Sequence, residues 1–156
     1  YGLNLNAEWK GFDITFFFQG AALADFYYNG YLAFPYIEGR GGALLEHHIG
    51  NTWTPENPKA EFPRLYYGGN ANNQLFSSFW MRNGSYLRLK NVEIGYDFKK
   101  ILLSKVSEIQ GLRLYFSGSN LLTWSQIKYF DPELRSTDGS AYPQMKTFVF
   151  GANITF

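Results

Sequence analysis

From Thr147 to Phe156 the side chains alternate strictly. Phe148, Phe150, Ala152, Ile154 and Phe156 share one parity; Thr147, Val149, Gly151, Asn153 and Thr155 share the other. Successive side chains of a strand point to opposite faces, so this stretch predicts a strand with one aromatic, apolar face and one mostly small or polar face. The start of the chain repeats the pattern. Tyr1, Leu3, Leu5, Ala7 and Trp9 alternate with Gly2, Asn4, Asn6, Glu8 and Lys10. After Lys10-Gly11, Phe12, Ile14, Phe16 and Phe18 alternate with Asp13, Thr15, Phe17 and Gln19. Two such runs around a Gly-containing tight turn predict a β-hairpin over 1–20.

The pattern breaks over 21–79, where Gly, Asn, Pro and aromatic residues mix without a period. A short helix is expected at Gly42–Ile49, and Thr52–Pro58 reads as a proline-bounded turn. A connection of about sixty residues is far longer than a passive loop, which makes it functional or a small subdomain. Strand character returns over Phe79–Phe98. Leu87 and Leu89 share one parity, whereas Val92, Ile94, Tyr96 and Phe98 share the other. The phase slips at Lys90-Asn91, where a β-bulge would restore the register. Lys99–Gln110 reads as a connector with one helical turn. Leu112, Leu114 and Phe116 then oppose Arg113, Tyr115 and Ser117. Asn120–Gln144 reads as a second long loop before the closing strand.

Five strands, with short and long connections alternating, match the short periplasmic turns and longer extracellular loops of outer-membrane barrels. With Phe156 in the periplasm, counting back places Lys10-Gly11 and Lys99–Gln110 there too, and both long loops outside the cell. Five strands cannot close a barrel, so the chain reads as one wall of something larger. Mean hydropathy is −0.26 and no apolar run reaches the length of a membrane helix. Neither fact argues against a barrel, whose strands show lipid only at every second residue. Aromatic residues make up 20% of the chain, as suits strands and membrane interfaces. Net charge is +1 and there is no cysteine, so neither a nucleic-acid partner nor a cysteine-based metal site is indicated. The absence of a signal sequence before Tyr1 is expected of a piece of a longer or processed protein. The competing architecture is a secreted, soluble β-sandwich that binds carbohydrate, since paired sheets also alternate.

Several motifs carry a resemblance. Trp9-Lys10-Gly11-Phe12-Asp13, Trp53-Thr54-Pro55-Glu56-Asn57-Pro58, Phe62-Pro63-Arg64-Leu65, Asn83–Tyr96, Ser119–Trp124, Asp131-Pro132-Glu133, Tyr142-Pro143 and Gly151–Phe156 occur in this order. Together they resemble the C-terminal part of the SusC/RagA family of TonB-linked outer-membrane transporters, over nearly the whole chain. The resemblance implies an all-β transmembrane barrel, 22-stranded, of which 1–156 supplies about the last five strands. It implies import of large nutrients rather than enzymatic chemistry, with no cofactor. It also implies as partners the rest of the barrel and its plug, the lipid bilayer, a SusD-like surface lipoprotein and TonB acting through an N-terminal region.

Candidate contacts follow from these two sources. Asp13, Thr15, Gln19, Arg113, Tyr115 and Ser117 have the polar parity and are candidates for facing the lumen, a plug or a substrate. Tyr27, Tyr28, Tyr36, Arg40, Tyr66 and Tyr67 are candidates for a vestibule or lipoprotein seat, because aromatic and Arg residues are enriched at interfaces. The plainer reading of the loop aromatics is a small core for the loop itself. Gly151, Ile154 and Phe156 resemble an assembly signal, from which Val149 departs. His47-His48 reads as a solvated loop pair, since adjacent helical side chains do not share a face. Asp131, Glu133 and Asp138 read as turn-forming acids, their spacing fitting no EF-hand. No Ser/His/acid triad or phosphate loop is present.

Overall fold

The computed structural model describes residues 1–36, 44–98, 109–134, 138 and 140–156. They form two compact units. The first comprises Tyr1–Ala22, Ser85–Ser125 and Gln144–Phe156; the second comprises Leu23–Gly84 and Gln126–Pro143.

The first unit is one antiparallel sheet. Its strands are β1 (Gly2–Trp9), β2 (Phe12–Ala21), β5 (Tyr86–Asp97), β6 (Gly111–Ser125) and β7 (Thr147–Thr155), in the order β1-β2-β5-β6-β7. The expected hairpin is present, with Trp9 opposite Phe12 and Gly2 opposite Gln19. Lys10 and Gly11 both have positive φ, 49° and 93°, as the primed turns that match strand twist require. The predicted bulge is also present. Phe17 pairs with Asn91 and Phe18 with Leu89, leaving Lys90 as the extra residue. The bulge inverts the parity of β5, so Leu87 and Leu89 fall on the same face as Val92, Ile94 and Tyr96.

With the register set, the two faces separate cleanly. One carries Leu3, Leu5 and Trp9; Phe12, Ile14, Phe16 and Phe18; Leu89, Val92 and Ile94; Leu114 and Phe116; and Phe148, Phe150 and Ile154. Among the described residues, no other element of this unit covers that face. Trp9, Phe12, Ile94, Leu114, Trp124, Phe148 and Phe150 are exposed, and only Leu89 and Val92 near the middle are buried by their neighbours. Rings pack across strands on this face: Phe12 on Tyr96 at 4.4 Å and Phe116 on Phe150 at 4.9 Å. A sandwich would need a second sheet of comparable size. The other sheet is a ribbon of two three-residue strands, β3 (Asp25–Tyr27) and β4 (Met81–Asn83).

Some expected boundaries differ. β6 runs on to Ser125, so Asn120–Ser125 is strand rather than the start of a loop. Asn120 sits at φ 55° and donates to the Met145 carbonyl; the irregularity at this site opposes the Lys90 bulge. β5 starts only at Tyr86. The residues before it form a 3₁₀ turn (Ser78–Trp80) and β4. The expected helix near 42–49 is a single 3₁₀ turn at Glu46–His48 among the described residues. The connector expected at 99–110 lies, except for its last two residues, outside the described residues.

The second unit is held by its own core. Phe26, Tyr28, Ala33, Phe62, Trp80 and Ile127 form a buried cluster, with Tyr27, Phe34, Tyr129 and Phe130 packed against it. A four-residue helix, α1 (Gly30–Ala33), is capped by the Asn29 side chain. The long insertions therefore form a small subdomain and not a passive connection.

Candidate functional site

On the polar face of the sheet, the cross-strand register brings the predicted residues together. Asp13 lies opposite Gly95 and Gly95 opposite Tyr115; Thr15 lies opposite Glu93 and Glu93 opposite Ser117. Arg113 reaches diagonally across β5. Its Nε and Nη2 donate to the two carboxylate oxygens of Asp13, at 2.9 and 2.5 Å, and Nη2 also donates to Glu93 at 2.7 Å. This bidentate, charge-assisted fork gives one cation shared by two acids. Gly95 makes it possible, because a Cβ there would collide with Nη2, Nε and Cζ of Arg113. Gly151 serves Tyr115 in the same way; its missing Cβ lies where the phenol ring rests. The Arg113 guanidinium is also 5.2 Å from the Tyr115 ring centroid, within cation–π range.

All six residues expected on the polar face lie there, with Gln19 farther along, opposite Arg88. Sequence reasoning missed Glu93, Gly95 and Arg88. Arg88 is 2% exposed and donates from Nε to Thr123 Oγ1 at 2.9 Å. All three lie on β5, where the phase slip at Lys90 hid which parity was polar.

In the second unit, the residues expected at a vestibule or lipoprotein seat divide. Tyr28 is a correction. It is 2% exposed and belongs to the core, its ring 5.0 Å from the Arg82 guanidinium. Tyr27 is half-buried and stacks on Phe76 at 4.7 Å. Tyr36 is half-buried with φ 58°. Tyr66 and Tyr67 are exposed, Tyr67 completely. Arg40 lies outside the described residues.

His47-His48 is not a solvated pair. His48 is fully buried, and both Nε2 atoms lie within hydrogen-bond reach of the Leu32 carbonyl, at 3.0 and 3.2 Å. Burial, and secondarily the neighbouring His47, lowers the His48 pKa to about 4. His47 stacks on Tyr129 at 4.3 Å. The Tyr129 hydroxyl donates to Glu61 at 2.7 Å, and burial together with that carboxylate pushes its pKa up to about 12. Burial raises the Glu61 pKa, but hydrogen bonds from Tyr129 and Asn51 and the charges of Arg82 and Lys128 outweigh it, leaving a net lowering. Asp131 and Asp138 act as turn formers, accepting from the backbone N–H groups of Glu133 and Ser140 at 3.0 Å each. Among the described residues no cluster of three or more His, Asp or Glu is placed to hold a metal.

No protein-family profile matches the chain. Individual proteins do. TonB-dependent receptor P3 of Formosa agariphila is 31% identical over 99% of the chain, and TonB-dependent receptor SusC of Bacteroides thetaiotaomicron is 28% identical over 99%. A solved structure of the RagAB peptide importer in its closed-closed state superposes over 99% of the chain with a TM-score of 0.75 at 29% identity. The chain belongs to the SusC/RagA family of TonB-dependent receptors. It spans about a sixth of the length of the relatives it matches: 16% of P3 and 17% of the RagAB chain. The sheet is thus a section of a larger TonB-dependent receptor barrel. The share of P3 and SusC that aligns includes both units, so the inserted subdomain belongs to the receptor as much as the strands do.

Proposed function

We propose that the full-length protein is an outer-membrane importer of large nutrients, oligosaccharides or oligopeptides, and that this chain is part of its barrel wall. The observation that carries the reading is the separation of faces: an uncovered apolar face on one side of a single sheet and an ion-paired polar face on the other. In a bilayer, backbone groups must be paired within the protein, which a closed barrel achieves. The free edges of β1 and β7 would continue into neighbouring strands of a barrel of about 22. The apolar face would meet lipid. The polar face, with Asp13, Thr15, Gln19, Arg113, Tyr115 and Ser117, would line the lumen and meet the plug or the passing substrate. The chain carries no bond chemistry in this reading. TonB would drive transport through parts of the receptor outside this chain.

Gly151, Ile154 and Phe156 would be read as an assembly signal, with Phe156 in the periplasm. Strand counting from there puts the second unit on the cell surface. Its exposed Tyr66 and Tyr67 are then available to a SusD-like lipoprotein. The likeness to SusC and to the RagAB peptide importer supports such a partner. An epitope inserted after Gly68, where φ is 75° and the space around the glycine is open, tests the placement in the full-length receptor. Labelling on intact cells, reduced when the lipoprotein is co-expressed, is expected. Labelling only after the outer membrane is broken would overturn the topology. Uptake of neither oligosaccharide nor oligopeptide by cells that depend on the receptor would overturn the transport reading.

A further inference from the structure

The second unit carries a groove that the wall function does not use. Its volume is about 520 Å³, within the range of small-ligand sites. Phe62 and Trp80, each 1% exposed, form its floor. The floor is rigid. Trp80 Nε1 donates to the Asn73 carbonyl at 2.8 Å, and the Trp53 N–H donates to the Phe62 carbonyl at 2.8 Å. Three aromatic side chains line the groove and stay open to solvent: Trp53 at 38%, Tyr66 at 45% and Phe79 at 51% exposure. The Phe79 ring stands perpendicular to Trp80 at 4.9 Å, which holds its orientation.

The polar lining is equally specific. Asn72 and Asn73 also line the groove, and their side-chain amides make no hydrogen bond among the described residues. Arg64 also lines it, 5.9 Å from the Tyr66 ring, with no carboxylate partner among the described residues. Aromatic surfaces that remain wet, amides that both donate and accept, and one guanidinium without a carboxylate partner among the described residues suit a particular ligand chemistry. The apolar faces of sugar rings pack on aromatic rings, their hydroxyls bond amides, and a carboxylate takes the guanidinium fork. A peptide bound by strand addition would pair along a strand edge, and no residue of β3 or β4 lines the groove.

We propose that this groove is a binding subsite for a carboxylate-bearing oligosaccharide, with Trp53, Tyr66 and Phe79 as stacking surfaces and Arg64 as the anion contact. The assignment narrows the substrate class of the import reading and rests on it only for the fate of the bound sugar.

The test uses the full-length receptor in detergent and follows Trp fluorescence and calorimetry. The probes are trisaccharides of galacturonate and of mannuronate, the methyl ester of the first, and trialanine. At least one acidic trisaccharide should bind, with the ester at least tenfold weaker. Trp53→Ala and Arg64→Gln should each weaken binding at least tenfold. Leu75→Ala, exposed and outside the groove, should leave it unchanged. Heat-modifiability on gels confirms that each variant folds. Binding that the two groove variants leave unaltered, or no binding of either acidic sugar at millimolar concentration, overturns the site. Trialanine binding lost in those variants, without sugar binding, overturns the ligand class. A receptor that binds the sugar through these residues but imports nothing would instead overturn the transport reading and leave the subsite standing.

Discussion

The assignment of faces can be tested at two positions of β6, Phe116 and Arg113. Phe116 is the sixth residue of β6. At about 3.4 Å per residue and a tilt near 40°, it lies roughly 13 Å above the strand's start, near the middle of an apolar band about 25 Å tall. Its ring packs against Phe148 and Phe150. Phe116→Arg would place a charge on the lipid face at about the costliest depth, roughly 2–4 kcal/mol. Loss of the two ring contacts adds about 0.5–1.5 kcal/mol each. Arg113→Leu acts on the other face. It leaves Asp13 and Glu93, both within 2.7 Å of one Arg113 nitrogen, without their shared cation. Two carboxylates that close repel by about 1 kcal/mol in water and about 3 kcal/mol at an intermediate dielectric. These side chains are 26–40% exposed, so screening brings the loss to about 1–2 kcal/mol. Heat-modifiability and surface abundance of the full-length receptor should therefore fall steeply for Phe116→Arg and modestly for Arg113→Leu. Leu114→Arg, two residues nearer the strand end, should be intermediate. Equal folding of Phe116→Arg and the native receptor would refute the assigned faces.

Three further outcomes are expected. Gly95→Val should lift Arg113 off Asp13 and Glu93, lowering stability in denaturant titration by about 1 kcal/mol; in the Arg113→Leu background that cost should largely vanish, and simple additivity would show that the glycine has another role. His48 has a folded pKa of about 4 against an ordinary 6.5, so the unfolded unit binds more protons between these values; stability from keeping His48 neutral is whole above pH 6.5 and declines toward pH 4, by at most about 3 kcal/mol. Proteolysis of the second unit should rise over that window and rise less in His48→Gln, whereas identical pH profiles would exclude His48 as the cause. Deleting Phe156 should lower the amount of assembled receptor without lowering its synthesis, and unchanged surface levels would remove Phe156 from the assembly signal.

The strand pattern alone determined most of the sheet. Alternation at 1–20, 112–117 and 147–156 is a local property, because strand geometry sends neighbouring side chains to opposite faces whatever surrounds them. The slip at Lys90 was legible for the same reason: an extra residue changes parity, and parity is written in the chain. The quoted motifs were enough to reach the family. What the bulge did to the polar face was not legible. Glu93, Gly95 and Arg88 join Arg113, Asp13 and Thr123 only through cross-strand register, and register depends on hydrogen bonds to strands distant in sequence. The glycines under Arg113 and Tyr115 have meaning only once a diagonal neighbour lies over them. The second unit was least legible. Its aromatic residues follow no period, so nothing local tells Tyr28, sealed in the core with Phe26 and Trp80, from Tyr67, wholly in water. Only packing between distant segments decided that, and the same packing turned His48 from a loop residue into a buried neutral base and opened Trp53, Tyr66 and Phe79 onto one groove.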